Sequence, residues 1–336
     1  MNMVKVASKV FPVVCALALS ALVGCGDDSS KPSPAAPDVN GEESSSSVEN
    51  VGPENPANSM SSVAEIQSSA SESGNAATAF NRDPAVANLS IDPDTNGFYD
   101  VGDIYKAVPA ESKIVFVLRH AERESGLGKE SPLTEVGVQQ ALDVGAKLAG
   151  GDESFYYAST DFLRTRTTAE KIAAGRGETG ANVVTWDEIN GGYFLTVPSD
   201  ALDALVSKRG GSLSYVSQWA YGVPFTGNKF VLEHGIETYF YDLYERGDQF
   251  INEVILANLA HWKRVNVLIS HDLLTEPLAV YASNRTIDLK TYESYRWINY
   301  VAGIAVVVDA NNLVTILPVR GAETGFLNTR ETYGNK

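Results

Sequence analysis

At 336 residues the chain is long enough for one large domain or two small ones. Its formal net charge is −16, and no basic stripe interrupts the acidic balance, which argues against nucleic acid as a partner. Any anionic substrate therefore needs a local positive pocket.

The N-terminus reads as a targeting segment. Lys5 and Lys9 supply positive charge, and Phe11 to Val23 is almost wholly apolar. That run is shorter than the roughly 20 residues of a membrane-spanning helix and fits a secretory signal core instead. It closes on Leu22, Val23, Gly24 and Cys25, which resembles the lipobox of bacterial lipoproteins. The resemblance implies that residues 1–24 are a signal peptide and that Cys25 carries a lipid anchor holding the chain on a membrane of the cell envelope. Cys15 would leave with the signal, so no disulfide is expected.

Residues 25–80 follow as a linker rich in Ser, Pro, Ala and Asn, with nine acidic side chains against Lys31 alone. They hold too few large apolar residues to offset the entropy of ordering and are expected to be a flexible spacer. Residues 81–336 have globular composition and form the expected single folded domain.

Within it, Lys113–Leu118 (KIVFVL) is an apolar, β-branched run that predicts a buried strand. Thr134–Leu148 shows helical spacing with Thr134 able to cap it. A strand over Phe155–Ala158, a helix over Asp161–Ala174 and a short strand over Asn182–Trp186 come next. Residues 198–262 read as mostly helical, ending in one long amphipathic stretch from Glu237 to Trp262. Val265–Ser270 predicts another buried strand, followed by a helix over Leu274–Ala282. Ile304–Asp309 and Leu313–Val319 predict a hairpin about Asn311–Asn312. Such alternation predicts an α/β three-layer sandwich with a mainly parallel central sheet flanked by helices.

Ligands in open α/β sheets sit beyond the carboxyl ends of the strands. The predicted strands end at Arg119-His120-Ala121-Glu122-Arg123, at Ser159-Thr160 with Arg164 one turn later, near Glu188, and at Ser270-His271-Asp272. These residues carry a resemblance. The RHAER run resembles the RHG signature of the histidine phosphatase superfamily, which includes phosphoglycerate mutases and acid phosphatases. Leu133-Thr134-x-x-Gly137-x-x-Gln140-Ala141 resembles its next helix, and Ser159-Thr160-x-x-x-Arg164 its second-arginine segment. Trp186-Asp187-Glu188-Ile189 resembles its proton-donor segment, and His271 its second histidine. The likeness spans roughly residues 111–320.

The resemblance implies a phosphatase of small phosphomonoesters acting through a phosphohistidine on His120 without a metal or other cofactor. Arg119 and Arg164 would bind the equatorial oxygens, and both remain charged at any working pH. His120 must attack as neutral imidazole, which neighbouring guanidinium groups favour. His271 would add a further donor. Glu188 is the first choice for the acid that protonates the leaving oxygen, with Asp272 as the alternative, since a His-Asp pair resembles the acid-phosphatase branch. Other readings are a non-catalytic phosphate-binding lipoprotein, a mutase, and a phosphohistidine-protein phosphatase. Ala121 departs from the usual glycine of the signature, and Arg166 is expected to face away.

Two further signals have structural explanations. Asp92, Asp94, Asn96, Asp100 and Asp103 have the spacing of an EF-hand-like calcium loop, but an Asp/Asn/Gly turn is the simpler reading. A catalytic metal is not expected, because Arg119 beside His120 would repel it. His234 and His261 have no motif around them and are expected at the surface or at helix ends.

Overall fold

The computed structural model describes residues 80–206, 212–226, 229–294 and 296–322. The signal and linker expectations for residues 1–24 and 25–79 lie outside these, as does the tail after residue 322. Among the described residues no helix is long and apolar enough to cross a membrane.

Seven strands form one sheet: β1 (Tyr99–Asp100), β2 (Lys113–Arg119), β3 (Tyr156–Ser159), β4 (Val183–Thr185), β5 (Val265–Ser270), β6 (Ala302–Val308) and β7 (Val314–Arg320). Their order is β1-β7-β6-β2-β5-β3-β4, with only β6 antiparallel to its neighbours. The predicted α/β sandwich with a mainly parallel sheet is therefore the observed fold. Alternate residues of β2 explain its three layers: Ile114, Phe116 and Leu118 join one core, and Val115 and Val117 join the other.

On the first face lie α1 (Val101–Ala107), α2 (Glu135–Lys147) and α3 (Leu163–Gly175). Thr134 caps α2 by accepting from the Gly137 amide at 2.9 Å, as its sequence predicts. Gly137 is required by contact rather than by torsion. A Cβ there would overlap the Glu122 carbonyl, so glycine lets α2 seat directly against the segment after β2.

On the other face α8 (Asp272–Ala282) packs against the sheet, with every residue from Leu273 to Ala282 buried. Around it lie α4 (Ser199–Val206), α5 (Ser212–Ala220), α6 (Lys229–His234), α7 (Leu243–Gln249) and the short α9 (Thr291–Ser294). The single long amphipathic helix expected over Glu237–Trp262 is instead broken. Asp242 caps α7 by accepting from the Tyr244 and Glu245 amides, and Phe240 pairs with Leu195 across a bridge. From Phe250 to Leu256 the coil widens to a π-helix. An Asx cap in mid-stretch outweighed the apolar periodicity.

The hairpin is found where expected, with Asn312 at φ 63° and Asp309 accepting from the Asn311 and Leu313 amides at 2.8 Å. Within the domain, the acidic stretch from Asp92 to Asp103 forms a turn and a helix start. Asp94 accepts from the Asn96 and Phe98 amides and pairs with Arg320 at 2.6 Å. Asp100 caps α1 through the Gly102 amide and pairs with Lys147 at 2.5 Å. Among the described residues no cluster of His, Cys, Asp and Glu is placed to hold a metal ion.

Candidate active site

Sheet register brings distant stretches of chain to one rim. Arg119 ends β2 opposite Ser270 of β5, and Ser159 ends β3 opposite Ile269. The His120 amide extends this ladder onto the Ser270 carbonyl at 2.9 Å. Four parallel strands thus end together, and the chemistry-bearing residues follow their carboxyl ends.

His120 and His271 face each other edge to face with ring centroids 5.6 Å apart, both buried. Nδ1 of His120 lies 2.8 Å from the Ala121 carbonyl oxygen, which can only accept. The proton therefore sits on Nδ1 and the lone pair on Nε2, the arrangement a nucleophilic imidazole needs. Burial holds the His120 pKa well below the ordinary histidine value, with Arg164, Arg119 and His271 adding to the effect. Ala121 is itself fixed, its amide donating to Thr168 Oγ1 at 3.0 Å.

His271 has the opposite tautomer. Arg164 Nη2 can only donate, so at 3.3 Å it makes His271 Nδ1 an acceptor. Nε2 then carries the proton toward Thr160 Oγ1 at 3.0 Å, and Thr160 passes its own to Thr165 Oγ1 at 2.9 Å. Thr165 in turn donates to the Phe162 carbonyl at 2.8 Å. Arg164, the second residue of α3, is buried, with its guanidinium 4.3 Å from the Phe162 ring centroid and Nη1 donating to the Gly128 carbonyl at 3.0 Å.

Arg119 is held on three sides. Nη2 donates to Asp272 Oδ2 at 2.8 Å, Nη1 to the Ile298 carbonyl at 2.7 Å, and the guanidinium lies 4.3 Å from the Tyr300 ring centroid. Asp272 also accepts from Trp297 Nε1 at 3.2 Å and, through Oδ1, from the Leu273 amide at 3.0 Å. Burial alone would raise the Asp272 pKa, but Arg119, Trp297, His271 and Arg164 outweigh it and hold the carboxyl below its ordinary value.

Arg119, His120, Arg164, His271 and Asp272 are thus brought together. Glu188 makes no hydrogen bond or ion pair with them among the described residues; it is exposed in the short 3-10 turn Asp187–Ile189 after β4. Its neighbour Ile189 ties that turn to the rim by accepting from Ser270 Oγ. Arg166 faces away, as expected, toward Thr185 Oγ1 at 2.9 Å. His234 and His261 are exposed at helix ends.

Sequence reasoning missed the segment Trp297–Val301 before β6. Because β6 runs antiparallel beside β2, the chain entering it starts at the same rim. Only the aromatic pair Trp297 and Tyr300 flanking Ile298-Asn299 signalled it. Phe162, whose ring centroid lies 4.5 Å from that of His271, was also passed over.

The sequence model of the histidine phosphatase superfamily (branch 1) matches residues 115–298. A phosphoglycerate mutase from Bacillus anthracis str. Sterne superposes with TM-score 0.38 at 18% identity, covering 62% of this chain and 93% of that one. A mycobacterial glucosyl-3-phosphoglycerate phosphatase gives 0.37 at 15%, covering 63% and 100%. A phosphoserine phosphatase mutant from Entamoeba histolytica gives 0.37 at 14%, covering 65% and 98%. No curated protein matches the sequence. Spanning more than half of the chain and enclosing both histidines and both arginines, the family match places this protein in the histidine phosphatase superfamily, branch 1.

Proposed function

We propose that this protein hydrolyses small phosphomonoesters through a phosphohistidine on His120, without a metal. The observation that carries the reading is the His120 hydrogen bond: Nδ1 donates its proton to the Ala121 carbonyl, the lone pair is left on Nε2, and two arginines and a second imidazole surround the ring. In the first step Nε2 attacks phosphorus and the ester oxygen leaves with a proton. In the second, water attacks the phosphohistidine, phosphate departs and the imidazole is restored.

Arg119 and Arg164 would hold the equatorial oxygens bidentately. As the anion arrives, Arg164 turns from His271 Nδ1 to a phosphoryl oxygen. His271 can then donate from that nitrogen only by taking up a proton, so the anion and the ring proton bind together. Glu188 is the proposed acid and then base, because Asp272 is engaged as an acceptor by Arg119, Trp297 and the Leu273 amide.

The proposed setting is the cell envelope, with Cys25 lipidated and residues 26–80 as tether. The lipobox-like Leu22 to Cys25 supports this, and a Cys25→Ser variant that still takes up labelled palmitate would refute it.

The test of the activity is release of phosphate from a generic phosphomonoester, without added metal, by wild type and His120→Ala. Turnover in the wild type and none in the variant is expected, with wild type denatured in alkali retaining phosphate that acid then releases, as from a phosphohistidine. Equal turnover ends the reading. Phosphate binding without turnover in the wild type would leave a binding protein in its place.

A further inference from the structure

The family match stops at residue 298, yet Tyr300 and Val301 just beyond it touch the site. The segment Trp297–Val301 wraps the Arg119–Asp272 pair. Trp297 donates to Asp272, the Ile298 carbonyl accepts from Arg119 Nη1, and the Val301 amide donates to the Arg119 carbonyl at 3.2 Å. Between them, the Tyr300 ring lies over the Arg119 guanidinium at 4.3 Å and 5.8 Å from the His120 ring centroid.

The backbone that delivers this ring is strained. Val301 is β-branched and fully buried, yet it has φ 50°, a left-handed conformation that such residues rarely adopt. It persists because the chain is pinned on both sides: the Val301 amide to Arg119, and the Val301 carbonyl to the Gly321 amide at 2.9 Å. An energetically costly turn directly after Tyr300 is expected where the position of that side chain has to be maintained.

We propose that Tyr300 is a positioning residue for the phosphoryl-binding arginine: its ring face fixes the plane of the Arg119 guanidinium, and its flank walls the His120 ring. A guanidinium binds two phosphoryl oxygens only when its plane contains them, so a freely rotating one loses bidentate geometry. Asp272 and the Ile298 carbonyl fix two edges of Arg119, and the aromatic face fixes the remaining rotation. The role belongs to the ring and not to the phenol hydroxyl, so phenylalanine should serve and an aliphatic side chain of similar bulk should not.

This inference rests on the site being a phosphoryl pocket, and its test is separable from turnover. Calorimetric titration with inorganic phosphate would compare wild type, Tyr300→Phe and Tyr300→Leu, with melting temperatures and steady-state hydrolysis measured alongside. Loss of a partly buried cation–π contact predicts phosphate binding up to about tenfold weaker in Tyr300→Leu, within about twofold of wild type in Tyr300→Phe. In hydrolysis the loss should fall on KM more than on kcat. Wild-type affinity in Tyr300→Leu overturns the inference, as does a Tyr300→Phe variant that loses as much as Tyr300→Leu. Failure of the wild type to bind phosphate also overturns it. The predicted variant pattern in a wild type that binds phosphate but hydrolyses nothing would support it while ending the phosphatase reading.

Discussion

Asp272 receives the Arg119 guanidinium at 2.8 Å and two further N–H donors, so the aspartate following the second histidine orients the first arginine. A carboxylate with three donors aimed at it is stabilised in the ionised form and makes a poor proton donor. Its ionisation and that of Arg119 are mutually supporting. Removing the charge while keeping the shape should loosen the arginine rather than abolish proton transfer. Asp272→Asn is expected to raise KM roughly tenfold or more, the scale of one charge-assisted hydrogen bond. The basic limb of the kcat profile should stay in place. A variant that loses kcat most for poor leaving groups would transfer the acid role to Asp272.

Glu188 is tested by the complementary experiment. An acid that protonates the leaving oxygen matters most when that oxygen is strongly basic. Glu188→Gln should therefore cost about a hundredfold or more in kcat with an alkyl phosphate, and much less with p-nitrophenyl phosphate, whose leaving group departs unaided. An equal loss on both substrates would remove Glu188 from the proton-transfer step.

The site was legible in the sequence to the extent that strand ends were. KIVFVL and VNVLIS are long apolar runs between polar residues, and both delivered their following histidines to one rim as expected. What a single sequence could not convey was the pairing order. β6 reads as half of a local hairpin, and nothing in its residues says that it lies antiparallel against β2. Tyr300 and Trp297 were invisible for that reason. The first strand and helix of the domain, Tyr99–Asp100 and Val101–Ala107, were hidden behind acidic spacing that imitates a calcium loop. Its carboxylates in fact satisfy backbone amides, as turn and cap aspartates do.

The depressed His120 pKa predicts a pH response with a definite sign. Burial is the main cause, and the guanidinium of Arg164 comes next. A lowered pKa keeps the ring neutral, hence nucleophilic, down to pH values below the ordinary histidine range near 6.5. Titration of the His120 ring carbon signals in the wild type should show no protonation near that value. Arg164→Met removes one cationic neighbour but leaves the burial, so the midpoint should rise without reaching the value of a free histidine. An unchanged or lower midpoint would mean that Arg164 does not act on the nucleophile electrostatically.

Glu276 offers a stability test independent of activity. It is fully buried one helical turn after Asp272, and neither carboxyl oxygen has a hydrogen-bond partner among the described residues. Burial, reinforced by the Asp272 charge, raises its pKa well above the ordinary value, so the folded protein keeps it protonated. In the unfolded chain the same group loses its proton near pH 4.5. Between these two pKa values the folded state binds one more proton than the unfolded state. Stability therefore falls as pH rises, by up to about 1.4 kcal/mol per pH unit from this group. Glu276→Gln cannot titrate and removes that contribution. Denaturant unfolding of both proteins across a pH series upward from pH 5 should show the variant gaining on the wild type as the pH rises. Parallel stability curves would mean that Glu276 titrates alike in the folded and unfolded states, and that its burial carries no penalty for the charged form.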